Sequence, residues 1–197
     1  MNALEAVIRH GNMMVVPYVR GSGIHNDLAL SVIYNRLKSE GLWEIVFHDN
    51  PAMDLHDLYA FFARPTTLAA TMAIVENDEF KDIAGMAWLA DTVCCNAKLN
   101  RGEASFFFFR DYQKPQYTIP FGHMVLDYWF SVLGMDTIVG LTPSVNRTAM
   151  IYAARLGFEK VGTIPSYTTL GDVDDAVITV MTKKRYSDVR QSWAKGK

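Results

Sequence analysis

Cysteine is almost missing from this sequence: Cys94 and Cys95 are the only two among 197 residues, and they are neighbours. Adjacent cysteines cannot build a disulfide framework, so a reducing compartment, the cytoplasm, is the expected setting. No apolar run reaches membrane-spanning length before charge interrupts it, so no membrane partner is expected. The opening MNALEAVIRHGN lacks the basic start and apolar core of an export signal. Lysine and arginine do not cluster before the tail TKKRYSDVRQSWAKGK, and the formal net charge is -2, which argues against a broad nucleic-acid footprint. Residues 187–197 of that tail read as a frayed basic end. Gly-x-Gly-x-x-Gly, Walker and Ser-elbow motifs are all absent, removing the usual nucleotide-binding and hydrolase classes. With no repeat and no Gly/Pro-rich linker, residues 1–197 read as a single domain.

What is present is apolar and patterned. Half of the residues are hydrophobic and 12% aromatic, enough for a large core. From Asn26 to Glu40, Leu30, Ile33, Tyr34 and Leu37 fall on one helix face, and Gly41 follows as a stop. MDLHDLYAFFA from Met53 suggests a second helix before Pro65. The period then changes: TTLAATMAIVEN, DIAGMAWLADTVCC and EASFFFFRDY suit three sequential strands of a mainly antiparallel sheet. IPFGHMVLDYWFSVLG is a helix by the spacing of Phe121, Met124, Val125, Tyr128, Val132 and Leu133. DTIVGL from Asp136 is a short strand, and FEKVGTI and DAVITVMTKK are two more. Between them lies SVNRTAMIYAARLGFEKVGTIPSY. There Asn146 can cap a helix through its side-chain oxygen, and Gly157 can end it in the left-handed conformation. The expected class is therefore α/β (α+β), a central, mostly antiparallel twisted sheet flanked by helices.

The helix HMVLDYWFSVLGM, the strand DTIVGLTPSVN and the unit NRTAMIYAARLGFEKVGTIP together resemble the GNAT superfamily of N-acetyltransferases, in particular its branch of ribosomal-protein N-terminal acetyltransferases. The resemblance spans roughly Ala104 to Tyr186, and the element order agrees along the whole chain. It implies acyl transfer from acetyl-coenzyme A to a small-molecule or peptide amine. In this family the cofactor lies where two neighbouring strands splay apart. The resemblance therefore implies that Phe107, Phe108 and Phe109 border the pantetheine arm, that the turn from Asp111 to Phe121 wraps the pyrophosphate, and that Asn146 lies near the thiol. It also implies a substrate groove lined by the first two helices and the last strand pair.

The pyrophosphate turn departs from the family's glycine-rich pattern. It reads RDYQKPQYTIPFG, with Gly122 falling inside the helix by register and Tyr117 standing about where the first loop glycine belongs. Pro115 and Pro120 remove backbone donors. Candidate phosphate holders are then Arg110, Lys114 and the side chains of Gln113 and Gln116, with Tyr117, Phe121 and Gly122 forming the rest of the turn. Tyr152 stands one place before the tyrosine that many members use as general acid. It is the candidate acid, and Glu103 is the candidate base by position, ahead of Asp91.

Each candidate has a bland counterpart. Four consecutive aromatics place two on each face of a strand buried on both sides, without any cofactor. Asn146 can be only a cap, Glu103 an exposed turn carboxylate, and Tyr152 a packed ring. His48, Asp49, Asp54 and His56 match no metal-ligand spacing and read as solvent-facing, so no metal is expected. Cys94 and Cys95 read as a buried or half-buried strand end. Two functional readings follow: an acetyltransferase, or a catalytically inactive module of the same fold with a structural or assembly role, as in a virion. An oligomer or assembly partner fits either.

Overall fold

The computed structural model describes residues 8–18, 24–48, 50–76, 81–95, 98–169 and 172–195. Gly11, at φ 58°, and Asn12 form a two-residue turn that pairs His10 with Met13. The turn joins β1 (Ile8–His10) to β2 (Met13–Pro17), a hairpin the sequence reading did not anticipate. Helices α1 (Ile24–Ser39), α2 (Trp43–Val46) and α3 (Leu55–Phe62) follow. The three expected strands are β3 (Leu68–Glu76), β4 (Lys81–Cys95) and β5 (Lys98–Phe108). After a 3₁₀ turn at Arg110–Tyr112 comes α4 (Pro115–Asp127), continued by a π-helical turn over Tyr128–Val132. The chain ends β6 (Thr137–Pro143), α5 (Arg147–Leu156), β7 (Glu159–Thr169), β8 (Asp172–Thr182) and α6 (Lys183–Lys195).

All eight strands form one sheet in the order β1-β2-β3-β4-β5-β6-β8-β7. Every neighbouring pair is antiparallel except β5 with β6. The mostly antiparallel sheet flanked by helices is thus the expected architecture. The two faces of β5 show how the layers are built. Phe107 meets Trp88, which packs among Phe47, Phe61 and Phe62 of the α2–α3 region. Phe106 and Phe108 meet Phe121 of α4 and Tyr152 of α5 on the opposite face. Two packed faces are what four consecutive aromatics on a strand buried on both sides call for.

Four local expectations are corrected. Residues 187–195, expected to fray, lie in α6, where Tyr186 is buried and Val189 and Trp193 pack half-buried on the core. Val132, expected on the buried face of α4, is 51% exposed, because the wider π turn rotates Trp129 and Phe130 inward in its place. Pro120 lies inside α4 rather than in the preceding turn, while Pro115 takes the first helical position, where its fixed φ suits a helix start. Cys94 is exposed rather than half-buried.

Candidate functional site

The parallel contact between β5 and β6 is short. Arg101, Gly102 and Glu103 pair with Thr137, Ile138 and Val139, and the ladder stops there. Beyond it β5 stays paired to β4 as far as Phe108, and β6 stays paired to β8 as far as Pro143. The two strands therefore diverge, each held by its outer neighbour. A cleft of about 530 Å³ opens between them, lined by Ala104 to Phe108 on one side and Gly140 to Pro143 on the other. Alternate backbone N–H and C=O groups of both strands point across this gap.

Side chains complete the cleft from both faces of the sheet. On one face lie Thr118 and Ile119 of α4 and Asn146, Ile151, Tyr152 and Arg155 of α5 with its cap. On the other lie Leu42, Ile45, Val46 and His48. That second face is built by α2 and its flanks, a helix the sequence reading did not place, and not by α1 or α3, the two helices along which the groove was expected.

The N-terminal end of α5 is fixed by two side-chain acceptors, the amide oxygen of Asn146 and the carboxylate of Asp174. Asn146 accepts from the Ala149 amide at 3.1 Å, which makes it the expected helix cap. Asp174 of β8 accepts from the Ser144 hydroxyl at 2.7 Å and the Val145 amide at 3.0 Å, and these bonds hold its carboxyl below the usual range. The loop carrying Asn146 is thereby tied to the strand beside it. At the other end of the helix, Gly157 adopts φ 96° and lets α6 approach.

Tyr152 is packed and committed. Its hydroxyl donates to the Thr118 carbonyl at 2.9 Å, and burial pushes its pKa up. Gly122 makes this approach possible, since a Cβ there would lie 2.6 Å from the Tyr152 hydroxyl and 2.5 Å from Leu156 Cδ2.

The turn before α4 is clamped from α1. Glu40 accepts from the Arg110 amide at 2.7 Å and from Arg36 Nε at 2.7 Å. Arg110 Nε and Nη2 donate to the Glu40 carbonyl at 3.0 and 2.7 Å. Arg36 lies 4.1 Å above the Phe109 ring and reaches Asp82, which also accepts from Tyr112 at 2.8 Å. Burial, then the Asp82 bond, raises the Tyr112 pKa to about 12. Gln113 is drawn inward, its amide donating to the Phe108 carbonyl at 2.8 Å.

The structure gathers Phe107, Phe108, Gln113, Asn146 and Tyr152 around the cleft, while Phe109, Lys114, Gln116, Tyr117, Phe121, Gly122 and Glu103 do not line it. Phe109 is sealed beneath Arg36, and Tyr117 turns onto Tyr112 with ring centroids 5.3 Å apart. Glu103 sits at the closed vertex, on the last paired step. Asp91 lies at an irregular step of β4 with φ 45°.

Among the other singled-out residues, Asp54 caps α3 in a reciprocal pair with Asp57, and Asp49 lies outside the described residues. His48, read as solvent-facing, instead lines the cleft, with Nε2 3.0 Å from the Tyr167 hydroxyl on β7. Local sequence carries no sign of that contact, because its two residues are far apart in the chain. Arg155 was also missed, and the β6 wall was implied by the resemblance only as a strand, without its residues. The signal for that wall is DTIVGLTP running directly into the Asn146 cap.

No family model and no curated protein matches the sequence. Solved structures do. Spermidine N-acetyltransferase from Vibrio cholerae, in complex with CoA and spermine, is similar with a TM-score of 0.70 and 16% identity, over 90% of this chain and 99% of that one. A chimera of the Vibrio cholerae enzyme and hSSAT gives a TM-score of 0.66 at 18% identity, over 88% and 98%. An acetyltransferase of the GNAT family from Bacillus anthracis gives 0.67 at 9% identity, over 91% and 99%. The fold is that of GNAT-family acetyltransferases. Among the described residues no helix is long and apolar enough to cross a membrane.

Proposed function

We propose that the chain is an acetyltransferase acting with acetyl-coenzyme A on an amine, in a reducing cytoplasm. The observation that carries this reading is the parting of β5 and β6 after three residue pairs. The edges of Ala104–Phe108 and Gly140–Pro143 offer backbone donors and acceptors to the amides of a pantetheine arm, as a strand edge does to an added strand. Phe106, Phe108 and Tyr152 give that arm an apolar wall. A structural module has no need of such an opening, so the assembly reading draws no support from it. The finer likeness to ribosomal-protein N-terminal acetyltransferases rests on the sequence motifs alone.

The start of α4 and Arg110 would hold the pyrophosphate. Pro115 contributes no amide there, and the amides of Tyr117 and Thr118 both turn onto the Lys114 carbonyl, at 2.9 and 3.0 Å. The backbone cradle is thus reduced, and the side-chain charge of Arg110 takes over part of its work. Bound acetyl-coenzyme A would supply the thioester carbonyl that an amine attacks and the sulfur that leaves. Asn146 would sit at that end of the cleft while still capping α5. Tyr152, with its proton on Thr118, serves in this reading as wall rather than acid, and Glu103 at the vertex is not assigned as base.

Calorimetric titration with coenzyme A and a thiol-release assay with acetyl-coenzyme A test the reading together. Saturable binding and amine-dependent thiol release are expected. Arg110→Ala should weaken coenzyme A binding about tenfold, about 1.4 kcal/mol, and leave pantetheine, which lacks the phosphates, unchanged. No binding at millimolar coenzyme A would defeat the proposal and return the chain to the structural class.

A further inference from the structure

The half of the cleft beside α2 has a chemistry of its own. Leu42, Ile45, Val46 and Phe107 wall it, and Ile45 is 44% exposed there, an apolar surface open to a ligand. Among the described residues lining the cleft, the charged side chains are Arg110 and Arg155, and none is a carboxylate. A polyamine entering this half would lay its second ammonium group against Leu42, Ile45 and Val46, with no carboxylate among the described lining residues to replace its water. The polar group in the apolar wall is His48, whose Nε2 is engaged with Tyr167 at 3.0 Å and whose ring lies 5.4 Å from that tyrosine's ring. When Nε2–H donates to the Tyr167 oxygen, Nδ1 carries the lone pair and can accept a proton.

We infer that the acceptor is a single amine on an apolar body, delivered to His48, and not a polyamine. This rests on the acetyltransferase reading above. In the transfer, the amine nitrogen bonds to the acetyl carbon, and the carbon–sulfur bond breaks with its electron pair going to sulfur. The proton lost by the amine goes to His48 Nδ1, which passes it through water to the thiolate, so that amide and free thiol are the products. Tyr167 is a positioning residue, acting only through the ring it orients.

The test uses the full chain saturated with coenzyme A, and compares 2-phenylethylamine and the tripeptide Met-Leu-Phe with spermine. The ring resonances of His48, assigned by their loss in His48→Gln, should shift on titration with at least one monoamine and stay fixed with spermine. In the thiol-release assay kcat/KM for that monoamine should exceed that for spermine by tenfold or more. His48→Gln should lower kcat at least tenfold with the KM for acetyl-coenzyme A unchanged, and Tyr167→Phe should lower kcat less, again without moving that KM. Spermine turned over as well as the monoamines overturns the inference, as does full kcat in His48→Gln. Coenzyme A binding with neither monoamine bound nor acetylated overturns this inference alone. Absence of coenzyme A binding overturns the acetyltransferase reading and this inference with it.

Discussion

Gly122 has no room for a side chain. A methyl group there would lie 2.5 Å from Leu156 Cδ2 and displace the Tyr152 hydroxyl from the Thr118 carbonyl. Alanine normally improves a helix interior by roughly 0.5–1 kcal/mol over glycine, but overpacking a core costs about 1–3 kcal/mol. Gly122→Ala should therefore lower stability by about 1–2 kcal/mol net, read as a lower urea midpoint at unchanged slope. A raised midpoint would mean that α4 and α5 can move apart freely. Helical spacing alone placed Gly122 within a helix, and the Asn146 cap and Gly157 stop were equally legible, because each is a local backbone requirement. The roles of Tyr117, Phe109 and Glu103 were not. Spacing assigns a residue to an element, but whether it lines a cleft depends on where two strands part and which helix leans on them.

At the scale of elements, the sequence concealed those whose signals are polar or short. The turn Gly11-Asn12 between IRH and MMVVP is a recognisable hairpin signal, and among the described residues three pairs support it. Helix α6 was hidden by its charge, although Tyr186, Val189 and Trp193 repeat at helical spacing and hold it down. Tyr186 stacks on Phe130, and its hydroxyl donates to Asp127, which also pairs with Arg190 at 2.9 Å. Burial first, then the Asp127 carboxylate, pushes the Tyr186 pKa up to about 12, against about 10 in an unfolded chain. Since the folded value is the higher, this contribution is complete below pH about 10 and is lost as pH rises through about 12. The urea midpoint should accordingly fall less steeply over that interval in Tyr186→Phe than in the unaltered chain. Parallel slopes would show that the docking of α6 does not depend on this proton.

At the scale of the whole molecule, the sheet has two parts of unequal cohesion. Strands β1 to β5 pair in chain order, β7 pairs with β8 as a hairpin and β6 joins them, whereas the two parts meet through the parallel step at Arg101–Glu103 and Thr137–Val139. A junction of three residue pairs can open while the longer ladders on either side of it, β4 with β5 and β6 with β8, stay closed. Hydrogen exchange is therefore expected to divide the protein into two cooperative units, with the amides of Thr137–Val139 that bond to β5 opening at lower free energy than those central in β4. Equal protection across the sheet would make the fold one unit. If there are two, the cleft is also their seam: a ligand spanning both strand edges acts as a staple between folding units, and its occupancy would be recorded as slowed exchange at Thr137–Val139, beyond the residues that line the cleft.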